Sequence, residues 1–350
     1  MKYTTITYPS GFGKSMSIGV TAPSSGLGTD VFIKRFELVA ERLTEKGYAI
    51  IEGNCLRENC KHVSGTREER ANDLLSLWLN PDVDVIIPPW GGEVLIDILD
   101  LIDFDRIMNS PAKWIMGYSD TSTLLFALTL KTGIATAHGI NFMDLIPTQN
   151  DSLSSQALEI LNLSNGETFT QHSSEKHQVE FTNFSDNLET TYNLTEPTEW
   201  KLLNGSSEAA FSGRLIGGCI DVLSNLAGTP YGDVDHFNDV FKQDGSIVYL
   251  ENCGLSACAL TRALWQIRMA HWFDVATGIV FGRNSGPDTH NTSGLSYIEV
   301  LEQCLEGLNI PVVYDADIGH KPPNMTMING SFAELSLTKG KTTLTQHLVS

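Results

Sequence analysis

The chain has 350 residues, and its 23 lysines and arginines stand against 42 aspartates and glutamates, a formal charge of −19. That length suggests about two domains, and 41% hydrophobic with 19% charged residues is the mix of a packed globular chain, which excludes disordered and fibrous classes. The acidic balance speaks against a nucleic-acid binder, which needs a basic face.

The opening MKYTTITYPSGFGKSMSIGVTAP has no basic region followed by an apolar core, so no secretory signal is expected. SIGVTAP (17–23) reads as a buried strand ending in a Pro-Ser-Ser-Gly turn. A helix follows from Asp30 to Lys46, stopped by Gly47, and YAIIE (48–52) is the next strand. Thr66 to Leu79 is helical, with Leu74, Leu75 and Trp78 on one face. VDVIIPPW (83–90) is a third strand closed by prolines, WIMGY (114–118) a fourth, and Asp120 to Lys131 a helix. This alternation predicts a mostly parallel sheet covered by helices on both faces, with ligands beyond the carboxyl ends of its strands.

From residue 164 the texture turns polar and loses its period, which predicts a linker with loops over 164–204. It separates an N-terminal α/β domain (1–163) from a smaller C-terminal α/β domain (205–350). The second half resumes with FSGRLI (211–216), Gly217-Gly218 and a helix through Leu226. IVYLEN (247–252) is a strand, Ser256 to Ala270 a helix, TGIVFG (277–282) a strand, and PVVYDADIGH (311–320) leads into two alternating segments. No apolar run approaches the ~18 residues of a membrane span. Six cysteines without a Cys-X-X-Cys pair predict neither a disulfide scaffold nor a zinc site, but reduced thiols in the cytoplasm.

Four strand ends carry residues useful to catalysis. In IMGYSDTSTLL, Ser119 falls at a strand-to-helix junction, the geometry of a nucleophile elbow, although a serine there also serves as an ordinary helix cap. Gly91-Gly92 in IIPPWGGE lets the backbone approach a ligand or offer N–H donors to an oxyanion; it also suits a plain turn. Glu251 ends a buried strand, and His320 sits between Gly319 and a proline pair. His138, in TAHGIN, is a rival base. Serine needs an adjacent base, and that imidazole needs a carboxylate to fix its tautomer. Ser119, Glu251 and His320 supply these parts in the order Ser…Glu…His.

At these residues the chain resembles the serine peptidases of family S66, the LD-carboxypeptidases and their microcin C immunity (MccF-like) relatives. APSS, the Gly-Gly turn, GYSDTSTLL, SGRLIGG, the strand ending in Glu251, and IGHKPPNMTMINGSFAEL fall in the family's order. The resemblance implies Ser119 as nucleophile, Glu251 as acid, His320 as base, and an oxyanion hole from backbone N–H groups of Gly92 and Asp120. It implies substrate contacts at Gly91, Glu93, Trp200 and Cys219, with Trp200 at the place of a loop tryptophan that stacks on a nucleotide base. It further implies no metal, no cofactor and a homodimer. Asn252 departs from the second acid of many members, Cys219 from their asparagine, and PPWGGE both from the Arg-Gly-Gly pattern of many LD-carboxypeptidases and from the Gly-Gly-Asn/Thr-rich turn of the MccF-like members.

The expected function is therefore serine-type hydrolysis of an amide bond in a small peptide or peptide-nucleotide substrate, of the microcin C kind. The alternatives are an LD-carboxypeptidase acting on muropeptides and a non-catalytic two-domain binding protein. A nucleotide-cofactor oxidoreductase is disfavoured, because Gly26 and Gly28 lack GxGxxG spacing.

Overall fold

The computed structural model describes residues 3–9, 16–146, 151–180, 185–288 and 293–350. Strands β1 (Ser17–Val20), β2 (Ala49–Glu52), β3 (Val85–Ile86), β4 (Trp114–Gly117) and β5 (Thr136–His138) come from the first half. β6 (Thr168–His172), β7 (Lys176–His177), β8 (Glu196–Pro197) and β9 (Lys201–Leu202) are short. β10 (Glu208–Cys219), β11 (Ser246–Glu251), β12 (Ala276–Gly282) and β13 (Val312–Ala316) are parallel neighbours. β14 (Met327–Asn329), β15 (Phe332–Thr338) and β16 (Lys341–His347) finish the chain.

Two sheets result, with strand orders β14-β5-β4-β3-β1-β2 and β6-β16-β15-β10-β11-β12-β13-β9. In the first, β1 to β5 are parallel; β1, β3 and β4 are buried and nearly all apolar, as strands covered on both faces must be, whereas β2 at the edge is partly exposed. β3 pairs over only two residues, because Pro88 and Pro89 have no N–H to continue its ladder. Thr66 caps the helix Arg67–Leu79 with a capping box to Glu69, which is why that helix starts where it does.

The helix Thr121–Thr132 lies between the sheets, packed on β5 and on β10. Its sequence TSTLLFALTLKT has no polar face, and every residue but Lys131 is buried. One core cluster accordingly runs through both halves, from Ile18 and Ile86 by way of Leu124 and Phe126 to Ile216 and Val248.

Two expectations need correction. The linker predicted over 164–204 supplies β6 to the second sheet, where Gln171 is buried opposite Leu344; its residues 181–184 lie outside the described residues. The second sheet has eight strands against six in the first, and two of the eight, β6 and β9, come from the stretch expected to be linker. And β14, deep in the expected C-terminal domain, pairs antiparallel with β5 of the first sheet. Among the described residues no helix is long and apolar enough to cross a membrane.

Candidate active site

Ser119 follows β4 by two residues and precedes the central helix. Its φ is +63°, the left-handed region that costs a non-glycine residue about 1–3 kcal/mol. The residue at the helix N-cap position is Asp120, not Ser119, and no side-chain cap hydrogen bond is made there, so the Ser119 hydroxyl is not spent as a cap. The strain instead holds the hydroxyl out at the turn, as in a nucleophile elbow.

The Gly91-Gly92 turn presses on this elbow. A Cβ on Gly91 would stand 2.7 Å from the Asp120 amide nitrogen and 2.8 Å from Ser119 Cβ. Gly92 has φ +151°, and a Cβ there would meet Ser24 Oγ at 2.2 Å. Ser24 Oγ donates to Asp120 Oδ2 at 2.6 Å, and the Leu95 amide donates to the same oxygen at 2.9 Å. These bonds turn the Asp120 carboxylate away from Ser119 and leave its amide at the start of the helix. Burial raises the Asp120 pKa, with the bonds from Ser24 and Leu95 opposing.

Glu251 ends β11 with its side chain wholly buried, and its Oε2 accepts a hydrogen bond from His320 Nδ1–H at 2.9 Å. The contact fixes the proton on Nδ1 and leaves Nε2 as the basic nitrogen. His320 keeps 21% side-chain exposure and packs edge-on against Tyr118, the residue before Ser119, at 5.1 Å between ring centroids. Burial pulls the His320 pKa down, but the Glu251 carboxylate outweighs it, so the imidazole titrates well above the usual histidine range. Burial likewise raises Glu251, and His320 reverses that to a net lowering.

The loop that carries His320 rests on buried charge. Arg283 forms an ion pair with Asp317 and donates to the Lys321 carbonyl at 2.7 Å. Trp200 Nε1 donates to Asp317 Oδ2 at 2.8 Å, and the Ser174 amide reaches the same oxygen at 3.0 Å. The Met325 amide closes the loop onto the Asp317 carbonyl at 2.8 Å.

The remaining candidates divide. Trp200 is only 1% exposed and is spent on Asp317 and the second core cluster, so it presents no face to a base. Glu93 lies in the open at the rim, 3.2 Å from His62, with 71% side-chain exposure. His138 is fully buried, and neither ring nitrogen has a hydrogen-bond partner. Burial drives its pKa down to about 4; it has no orienting carboxylate like that of His320. Asn252 caps its own turn, donating to the Leu255 carbonyl and accepting from the Leu255 amide, both at 3.0 Å. Cys219 is buried beside Glu251, to which its backbone is register-paired, and its amide donates to Ser122 Oγ at 3.1 Å. Single ligand atoms from Cys219, Glu251 and His320 all lie within 4.8 Å of one another, a set of donors that could hold a metal ion.

Sequence reasoning missed Tyr118, Ser24, Arg283 and Asp317. The first two lie inside quoted motifs, GYSD and APSS, where no role was given to them. For the other pair the signal was a charge at the end of each of two apolar strands, FGR and VVYDAD, which only burial turns into a partnership.

Comparison with known proteins points to one family. The LD-carboxypeptidase N-terminal domain matches residues 18–139, and the LD-carboxypeptidase C-terminal domain matches residues 212–335. The chain is 27% identical to the microcin C7 self-immunity protein MccF of Escherichia coli, over 93% of this chain and 92% of that one. It is 26% identical to a probable murein peptide carboxypeptidase of Bacillus subtilis, over 98% and 95%. A solved structure of MccF in complex with aspartyl sulfamoyl adenosine superposes with a TM-score of 0.82 at 25% identity, covering 98% of this chain and all of that one.

Proposed function

The chain belongs to the LD-carboxypeptidase (S66) family, and from that premise we propose that it is a serine hydrolase that cleaves an amide bond in a small peptide-like substrate. Ser119 is the nucleophile, His320 the base and Glu251 the acid that orients it. The observation that carries this reading is the 2.9 Å bond from His320 Nδ1 to a buried Glu251, on a loop packed against a strained Ser119 elbow.

The steps follow from the atoms. Ser119 Oγ attacks the carbonyl carbon while His320 Nε2 takes its proton. The imidazolium so formed is stabilised by the Glu251 carboxylate at Nδ1. The oxyanion is met by backbone N–H groups, of Asp120 at the helix start and at Gly92. His320 then protonates the leaving amine, the C–N bond breaks, and an acyl-serine remains. Water, deprotonated by the same Nε2, releases the acid and restores Ser119.

For the substrate, the chemistry of the turn favours an aminoacyl- or peptidyl-nucleotide amide over a muropeptide. A carboxypeptidase must recognise a free carboxylate, for which an arginine or lysine is the strong side-chain partner. Before Gly91 stands Trp90, whose indole N–H is tied to the Ser25 carbonyl at 2.9 Å, and after Gly92 stands the exposed Glu93. Neither welcomes a carboxylate. The chain's likeness to MccF, a self-immunity protein solved with aspartyl sulfamoyl adenosine, supports the same choice.

The reading includes a cytoplasmic homodimer. Six free thiols suit a reducing compartment, and sedimentation analysis tests the dimer. A fluorophosphonate probe should label Ser119 and no other serine. Incubation with an aminoacyl sulfamoyl adenosine beside a muropeptide tetrapeptide then decides the substrate, with turnover of the first expected. Turnover of the tetrapeptide alone would reassign the enzyme to cell-wall peptides, and no labelling would make it a binding protein.

A further inference from the structure

Cys219 brings a soft ligand into a site that otherwise holds only a carboxylate and an imidazole. Its thiol, one Glu251 carboxylate oxygen and one His320 ring nitrogen lie within 4.8 Å of one another. A tetrahedral zinc ion with bonds of ~2.0–2.3 Å separates its ligand atoms by roughly 3.4–3.6 Å. His320 Nδ1 and Glu251 Oε2, now at 2.9 Å, would open slightly, and the sulfur would draw in. A second feature points the same way: Glu251 Oε1 is buried with no hydrogen-bond partner, an acceptor whose remaining capacity a cation would satisfy.

We propose that Cys219, Glu251 and His320 together bind a thiophilic divalent cation of the zinc class, and that its occupation switches the hydrolase off. Charge supports the choice of ion. One thiolate, one carboxylate and a neutral imidazole balance a divalent cation in a buried place, and the Asp221 carboxylate, whose Oδ2 lies 3.7 Å from the Cys219 sulfur, adds negative charge beside it that favours a cation further. On binding, the S–H proton of Cys219 and the extra ring proton of a charged His320 leave to solvent as the metal–sulfur and metal–nitrogen bonds form; no oxidant or reductant takes part. The fourth position goes to water on the side where His320 is exposed, which is also the entry path. Inhibition follows from the ring. Coordination through Nδ1 places the proton on Nε2, and coordination through Nε2 takes up its lone pair. Either way His320 cannot accept the Ser119 proton. This second half rests on the assignment of His320 as base; the binding itself does not.

Titration with cobalt(II) and zinc(II) under a non-thiol reductant separates the two halves. Wild type and Ser119→Ala should each bind one cobalt per chain, with an intense near-ultraviolet thiolate-to-cobalt band that zinc abolishes by displacement. Cys219→Ser should lose the band and bind zinc at least tenfold more weakly. His320→Ala, at a partly exposed position, should show the same weakening and guards against a Cys219 variant that does not fold. Zinc should inhibit wild-type hydrolysis with the midpoint of its binding curve, and EDTA should restore full activity. Absence of stoichiometric cobalt binding, or a band undiminished in Cys219→Ser, overturns the site. Zinc bound through these residues with hydrolysis unaffected refutes the inhibitory switch and removes His320 from its role as base, while leaving the metal site in place.

Discussion

Met327 stands opposite His138 in the antiparallel pair that closes the edge of the first sheet. His138 is in turn register-paired with Gly117, at the end of the strand that delivers Ser119. The chain leaves the second sheet at Ala316, carries His320 across, and re-enters structure in the first sheet at Met327. The base is thus tethered at one end to the sheet of its carboxylate and at the other to the sheet of the nucleophile. Neither half of the molecule contains the site alone, and the all-apolar helix Thr121–Thr132 between them fixes their spacing.

Ser119 is expected to be dispensable for folding and indispensable for turnover. Ser119→Ala should lower kcat by several orders of magnitude, since members of such a unit act together. Ser119→Gly should do the same while raising stability by about 1 kcal/mol, because glycine adopts φ +63° without strain. Thermal melts and single-turnover assays on both variants check this. Turnover surviving in either would remove Ser119 from the chemistry.

Gly91→Ala should strike catalysis harder than stability. The added methyl would lie within 2.8 Å of the Asp120 amide and Ser119 Cβ, so the turn or the elbow must move. Displacing a donor from a developing oxyanion costs about 10²–10³ in kcat. Steady-state kinetics should therefore show kcat falling by about two orders of magnitude. A variant with wild-type kcat would mean that the turn does not border the reacting carbonyl.

Arg283→Met should destabilise the protein by about 3–5 kcal/mol, because it leaves Asp317 ionised and buried without its partner. The His320 loop should loosen with it, since the Lys321 carbonyl also loses its donor. Denaturant unfolding gives the first effect and amide exchange over residues 317–325 the second. Unchanged stability would demote the pair from support to ornament.

Much of this was legible beforehand, and the exceptions are physical. The strand-end serine, glutamate and histidine could be read because each follows a buried apolar run, where a polar residue has to be there for a reason. Thr121–Thr132 was readable as a helix but not as the layer between two sheets, although its lack of a polar face is the trace of that burial. β14 was not readable. Three residues carry no period, and their place is set by pairing with a strand far away in sequence. Trp200 has two readings in the sequence, stacking on a base or packing, and only the buried Asp317 carboxylate that holds its N–H decides for packing. The linker hid β6 because a strand at the margin of a sheet needs few apolar residues, and Gln171 is the one it buries.

The pH profile tests the base. His320 must be neutral to accept the Ser119 proton, so kcat/KM should rise with pH through its ionisation. The Glu251 carboxylate holds that ionisation well above the usual histidine value, so the acid limb should lie above about pH 6.5. Glu251→Gln removes the carboxylate and leaves burial opposed by Cys253 alone, which should shift the limb to lower pH while kcat drops by about 10²–10⁴. Stability carries the opposite signature. The raised histidine lends stability that is whole below about pH 6.5 and is lost as pH climbs through its folded value. His138 behaves in reverse: with a folded pKa of about 4 against about 6.5 unfolded, it costs stability as pH falls across that window, by up to about 3 kcal/mol. His138→Phe should therefore flatten the acid side of the stability curve and leave the acid limb of kcat/KM in place. If instead that limb vanishes in His138→Phe and persists in Glu251→Gln at its wild-type position, the base is His138, and the 2.9 Å bond between His320 and Glu251 is structural only.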